Sequence, residues 1–187
     1  MPRNAYRTRP DPSAPWVIDT RELGRRPGMM RSYHRDVALP AGLGLDVIGI
    51  PRGGELALDV RLESVVEGVL VSGTASAPLA GQCARCLDPM MDRLEVDLTE
   101  LFAYPDTATD ESTDPDEVSQ VVDDLVDLEP MVRDSVLLAL PLAPLCHDDC
   151  PGLCPECGGK RAELGADHQH DTMDPRWAAL RQWRGND

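Results

Sequence analysis

Strict alternation of apolar and polar residues marks the middle of this chain. Over residues 55–66, Leu56, Leu58, Val60 and Leu62 point one way and Asp59, Arg61 and Glu63 the other. That is the two-residue period of a half-buried strand. Residues 68–78 form a small-residue strand with Val69, Val71, Gly73 and Ala75 on one face, and residues 91–104 alternate again through Leu94, Val96 and Leu98. Residues 43–50 read as an earlier strand, closed by the turn Pro51-Arg52-Gly53-Gly54. Short gaps between consecutive strands predict an antiparallel meander, because a parallel pair needs a long crossover. The pattern then changes period. Met131, Val132, Ser135, Val136 and Ala139 recur at spacings of three and four. They predict a helix that begins at Asp127-Leu-Glu-Pro130, with acids and Pro in the first turn, and ends before Pro141. The expected fold class is α+β: an antiparallel sheet covered by one helix, with a Cys-rich C-terminal segment and flexible ends.

Punctuation divides the chain. Residues 1–15 are rich in Pro and Arg and read as a disordered tail. Trp16-Val-Ile18 is a short apolar run that docks as a strand. Asp19-Thr20 opens a short basic turn or helix over Arg21 to Arg26, kept short by Gly24, Pro27 and Gly28. One α+β domain spans 16–160, interrupted by an acidic loop at 105–126 that reads as a solvated spacer. Residues 161–187 form a tail whose short helix begins at Asp174-Pro175 and carries Trp177, Leu180 and Arg181.

Composition limits the function. Aromatics are 4% of the 187 residues, so the core must come from Leu, Val, Ala and Met. Net charge is −15, unevenly spread. Residues 1–35 hold eight Arg against three acids, while residues 106–129 hold ten acids and no base. Phosphate affinity rests on neutralisation by Lys and Arg, so the surface as a whole is unsuited to nucleic acid. A local contact remains open through Arg21, Arg25, Arg26, Arg31 and Arg35, or through Arg85, Arg176, Arg181 and Arg184. The acidic segment suits a basic protein partner instead. No stretch approaches the apolar length of a membrane span, and the N-terminus has no apolar signal-peptide core. A cytoplasmic location is expected, where six cysteines do not form a disulfide framework.

The cysteines carry the strongest chemical signal. Cys83-Ala-Arg-Cys86 follows a strand, and Cys146, Cys150, Cys154 and Cys157 lie within twelve residues after the helix. Cys-x-x-Cys lets two thiolates of one turn reach one ion, and two such pairs make a closed tetrahedral zinc site. In Cys154-Pro-Glu-Cys157-Gly158, Gly158 permits the positive φ that brings amides toward sulfur. Three assignments compete. The preferred one joins Cys83 and Cys86 to Cys154 and Cys157; the second joins them to Cys146 and Cys150; the third uses Cys146, Cys150, Cys154 and Cys157 alone. His147, His168 and His170 could replace a thiolate but are expected to be exposed instead. An all-cysteine set favours a structural Zn2+ over a catalytic one. A thiol oxidoreductase acting through Cys83 and Cys86 is the enzymatic alternative. The chain holds no phosphate-cradling Gly-rich loop, no nucleophile elbow and no His-Glu-x-x-His. An enzyme is not expected, nor is a small-molecule substrate.

Three segments together carry a family likeness. They are Val17-Ile-Asp-Thr-Arg-Glu-Leu-Gly-Arg-Arg-Pro27, the Cys83-Ala-Arg-Cys86-Leu87 turn, and Leu140-Pro-Leu-Ala-Pro-Leu-Cys146 through Cys150-Pro-Gly-Leu-Cys-Pro-Glu-Cys-Gly158. The chain resembles the YceD family, the large ribosomal RNA subunit accumulation proteins, in an actinobacterial form. The resemblance implies a non-enzymatic factor needed for normal 23S rRNA or large-subunit levels. It also implies contact with 23S rRNA or a pre-50S particle. The positions that match are Cys83, Arg85, Cys86, Cys146, Cys150, Cys154 and Cys157. A zinc-ribbon adaptor that binds a protein, such as a basic ribosomal protein, without touching RNA is the alternative.

Overall fold

The computed structural model describes residues 9–105, 107, 118–165, 167–170 and 176. The expected helix from Asp174 apart from residue 176, half of the acidic loop and the first eight residues of the N-terminal tail lie outside the described residues. Described elements run β1 (Val17–Asp19), β2 (Met30–Leu39), β3 (Leu43–Gly44), β4 (Ile48–Ile50), β5 (Gly54–Ser64), β6 (Gly68–Gln82), β7 (Pro89–Ala103), β8 (Leu125–Asp127) and the helix α1 (Glu129–Ala139). This is the expected α+β fold, one helix over an antiparallel sheet.

The meander β2-β5-β6-β7 is antiparallel throughout. Leu56, Leu58, Val60 and Leu62 of β5 share the buried face with Val69, Val71 and Ala75 of β6 and Leu94, Val96 and Leu98 of β7. Helix α1 lies on β7 and β3 and buries Met131, Val132 and Val136. Glu129 and Pro130 stand in its first turn, and the Glu129 N–H donates to Asp127 Oδ1 at 3.0 Å. The chain leaves the helix at Leu140, which is extended ahead of Pro141.

Four expectations change. Residues 43–50 are a hairpin of two short strands, not one strand. Gly44 faces Gly49 there, and a Cβ on Gly44 would meet the Gly49 Cα at 2.3 Å. Strand β6 continues past Pro78 to Gln82. Its ladder with β5 ends at Ser76 and its pairing with β4 starts at Ala80, so the missing Pro N–H falls in the gap between partners. Asp19-Thr20 starts no helix. Asp19 Oδ1 accepts the Arg21 N–H, a single turn closes on the Thr20 carbonyl, and Gly24 ends it at φ 68°. Finally, the acidic loop packs before residue 126. Val121, Leu125 and Val126 are buried, and β8 pairs with β1.

Strand β2 is the element the pattern does not announce. It is an edge strand, and only Val37 and Leu39 on it are buried. Its pairing puts Arg31, Tyr33 and Arg35 opposite Leu62, Val60 and Leu58. Long amphipathic side chains thus extend the apolar face outward at the rim.

Burial sets the expected energetics. Leu62→Ala should cost about 3 kcal/mol in urea denaturation, whereas Val66→Ala at an exposed position should stay within about 0.5 kcal/mol. Equal costs at the two sites would contradict the core assignment.

Candidate metal centre

Strand β6 delivers the first cysteine pair to the end of the sheet, and the return into β7 forms the turn that carries it. In that turn the Cys83 N–H donates to the Asp88 carbonyl at 2.9 Å, and the Leu87 N–H donates to the Cys83 carbonyl at 2.9 Å. The second Cys-x-x-Cys repeats this scheme. The Cys154 N–H donates to the Gly159 carbonyl at 2.7 Å, and the Gly158 N–H to the Cys154 carbonyl at 2.9 Å. The residue after each second cysteine is left-handed, Leu87 at φ 61° and Gly158 at φ 70°. The two turns are one motif used twice. A leucine accepts in the first the backbone that glycine adopts readily in the second.

The six cysteines do not gather as the preferred assignment expects. Cys83 and Cys86 meet Cys146 and Cys150, while Cys154 and Cys157 stand with His168 and His170. Within each group all four ligand atoms lie inside 4.8 Å of one another. The physical reason is the docking of the segment after α1. The Ala84 N–H donates to the Pro144 carbonyl at 2.8 Å, and the Leu153 N–H to the Arg85 carbonyl at 3.0 Å. These bonds hold the stretch carrying Cys146 and Cys150 across the first turn. Gly152, at φ 73°, permits the close pass: a Cβ there would lie 3.0 Å from the Arg85 carbonyl oxygen. All six cysteines fall in one group or the other.

The first group has the dimensions of a tetrahedral thiolate site. Cys83 and Cys150 sulfurs are 3.7 Å apart, and those of Cys86 and Cys146 3.8 Å. A tetrahedron of about 2.3 Å zinc–sulfur bonds has edges of about 3.8 Å, whereas a disulfide needs about 2.05 Å. Cys83, Cys86 and Cys150 are buried, with Met90 and Leu145 packed around them. The amides of Cys86 and Cys146 hold the Cys83 thiol down at about 6. The Asp88 amide acts on Cys86 in the same sense, but burial and the neighbouring sulfurs of Cys83, Cys150 and Cys146 push that thiol up to about 12. Burial also raises Cys146. Burial and neighbouring sulfurs thus disfavour the thiolate at Cys86 and Cys146 beside the favoured one at Cys83. A dication would offset that cost.

In the second group, the amides of Cys157 and Glu156 hold Cys154 down at about 6, with His168 adding to the effect. Cys157 Sγ lies 3.6 Å from His168 Nε2. His147 is exposed, as expected, and contacts Cys146 at 3.1 Å outside either group. His168 and His170 also lie at the surface as expected, and their ring nitrogens fall within the second group. The signal available in the sequence was the spacing His168-Gln-His170 downstream of a Cys-x-x-Cys turn.

The arginines lie elsewhere and are largely engaged. Arg21 pairs with Asp19, Arg31 with Glu22, and Arg25 with Asp124 at 3.5 Å while lying 4.7 Å over the Tyr104 ring. Arg35 donates to the carbonyls of Pro15 and Val17 at 2.9 and 3.0 Å. Arg21, Arg31 and Arg35 line one cleft together with Asp19, Glu22 and Tyr33. Arg26 is exposed. Arg85 donates to the Cys150 carbonyl at 3.0 Å and the Asp148 carbonyl at 3.4 Å, clamping the first metal group.

An oxidoreductase nucleophile needs exposure. Cys83 has the depressed thiol, but its exposure is 0%, and a turn into β7 follows the pair instead of a helix. The Cys83–Cys86 turn therefore lacks the exposed, helix-tipped thiolate that disulfide exchange needs.

A non-catalytic, Cys-rich α+β domain is the class so defined. The family described as Large ribosomal RNA subunit accumulation protein YceD matches residues 71–183, more than half of the chain, and the chain belongs to it. That description names an accumulation role. An uncharacterized protein of Mycobacterium tuberculosis is 53% identical over 173 residues, covering 92% of this chain and 83% of its own length. One from Mycobacterium leprae is 45% identical over 167 residues, covering 89% and 76%. The uncharacterized protein YlbN of Bacillus subtilis is 28% identical over 123 residues, covering 65% and 67%. No solved structure gives a significant match.

Removing the Arg85 guanidinium should loosen the first group. Arg85→Ala should cost about 1 kcal/mol of stability and speed amide exchange at Leu153. Unchanged exchange there would contradict the clamp.

Proposed function

We propose that this chain is a non-enzymatic factor supporting 23S rRNA accumulation and large-subunit assembly, and that it binds rRNA or a pre-50S particle. The observation that carries this reading is the family match across the stretch that contains both metal groups and the covering helix. The RNA contact assigned here is the basic rim of β1, β2 and the intervening turn, with Arg21, Arg25, Arg26, Arg31 and Arg35. Because Asp19, Glu22 and Asp124 already neutralise part of it, contact must exchange these weak exposed pairs for phosphates. Depleting the protein should lower the 50S peak and 23S rRNA on a gradient profile. Unchanged 50S and 23S levels would sink the reading.

In the same proposal, Cys83, Cys86, Cys146 and Cys150 hold one structural Zn2+. The support is the pair of sulfur separations at the tetrahedral edge length and the burial of three of the four thiols. The ion supplies no chemistry to a substrate; it fastens the segment after α1 to the end of the sheet. Cys83→Ser and Cys146→Ser should each release this ion, read by native mass spectrometry, and Cys157→Ser should leave it bound. Loss of the ion on Cys157→Ser but not on Cys146→Ser would restore the pairing of Cys83 and Cys86 with Cys154 and Cys157.

A second reading is a protein adaptor without RNA contact. The specific observation is a pair of leucines beside the metal segment, Leu138 at 87% and Leu142 at 85% exposed, on a chain of net charge −15. Salt-dependent crosslinking to 23S rRNA would count against it. Crosslinks confined to basic ribosomal proteins would favour it.

A further inference from the structure

We propose that Cys154, Cys157, His168 and His170 form a second zinc centre, separate from the four-cysteine group and more open to exchange. The four ligand atoms fall within 4.8 Å of one another although they come from a turn and from a strap eleven residues further on. With zinc–sulfur bonds of about 2.3 Å and zinc–nitrogen bonds of about 2.0 Å, a sulfur–nitrogen edge is about 3.5 Å. Cys157 Sγ and His168 Nε2 are 3.6 Å apart. The His168 and His170 Nε2 atoms are 2.8 Å apart and the rings meet edge to face with centroids 4.4 Å apart. Two imidazoles thus aim the same nitrogen at one point, and around one ion those nitrogens would open to about 3.3 Å. A donor set of two thiolates and two imidazoles in a tetrahedron selects zinc over magnesium or calcium, which take oxygen ligands.

The turn is preorganised for this. It carries the same pair of backbone hydrogen bonds as the first cysteine turn, and Gly158 supplies the left-handed backbone. The strap between turn and histidines is also placed. Lys160 pairs with Asp88 at 2.5 Å, the Arg161 N–H donates to the Gly152 carbonyl at 2.9 Å, and the Leu164 N–H to the Lys160 carbonyl at 3.1 Å. Leu164 packs by Gly159, whose added Cβ would meet Leu164 Cδ1 at 3.3 Å and Cys157 Sγ at 3.4 Å. These contacts bring His168 back over the turn. Exposure separates the two centres. Three of four thiols are buried in the first, while Cys157 and His170 face solvent in the second, beside an open cleft lined by Glu156, Arg161 and Leu164. Ions should therefore exchange faster at the second centre. A pair of hydrogen-bonded surface histidines without an ion is the opposing outcome.

The experiment uses the full chain without an affinity tag, made in zinc-supplemented medium and kept reduced and free of chelator. Native mass spectrometry should count two zinc ions per chain, and H168Q/H170Q should retain one. A chromophoric chelator should withdraw the first equivalent from the wild type at least about tenfold faster than the second. That fast phase should be missing in H168Q/H170Q. One ion in the wild type, unchanged by H168Q/H170Q, would overturn the second centre while leaving the first intact. Should the variant fail to fold, cobalt substitution of the wild type decides. Saturation should add the d–d bands of a mixed sulfur–nitrogen tetrahedron to those of a four-sulfur one. A four-sulfur spectrum alone at saturation would overturn the proposal.

Discussion

Four sulfur atoms within 4.8 Å of one another, three of them buried, cannot all be thiolates without a cation among them. This constraint governs the lower end of the molecule. The sheet and helix make an ordinary aliphatic core, but that core stops at Leu140. Beyond it, the buried side chains among the described residues are Pro144, Cys150 and Cys154. A stretch with so little apolar surface to bury cannot offset the entropy of ordering its backbone. Hydrogen bonds from Ala84 and Leu153 and the Arg85 clamp position it, and an ion would supply the missing free energy.

The same arrangement bears on function. Arg85 matches the family resemblance, yet its guanidinium faces the carbonyls of Asp148 and Cys150. Those bonds hold the segment after α1, and the proposed RNA contact is placed instead on the β1–β2 rim. There Arg21, Arg25 and Arg31 each stand beside a carboxylate in exposed pairs. Such pairs contribute little to stability. A denser anion could displace them, so the proposed local phosphate contact is compatible with a chain of net charge −15.

Much of the sheet was legible because burial on one face writes a two-residue period. Leu56 to Leu62 and Leu94 to Leu98 are the clearest cases, and Met131 to Val136 gave the helix in the same way. Strand β2 was illegible because its inner face carries Arg31, Tyr33 and Arg35 in place of aliphatics. The hairpin at 43–50 was read as one strand because the Gly44–Gly49 contact exists only across the turn. The cysteine turns were legible individually, down to the left-handed Gly158. Their partners were not. Cys-x-x-Cys specifies a turn and says nothing of what faces it. The loops that close the two rival pairings, 59 and 67 residues between Cys86 and the next ligand, differ in closure cost by only about 0.1 kcal/mol. Docking of residues 144–153 across Arg85 decided between them, and no local pattern encodes that. His168 and His170 were nameable as candidate ligands but not assignable to a group, because only their return over the turn brings them to Cys154 and Cys157.

The sharpest measurement is pulsed thiol alkylation of the reduced native chain, mapped residue by residue, before and after chelation. Shared coordination of one ion predicts that Cys83, Cys86, Cys146 and Cys150 are protected together and become reactive together, with a common dependence on chelator. Protection of Cys83 and Cys86 that survives while Cys146 and Cys150 become reactive, or the reverse, would contradict a centre joining the sheet to the segment after the helix.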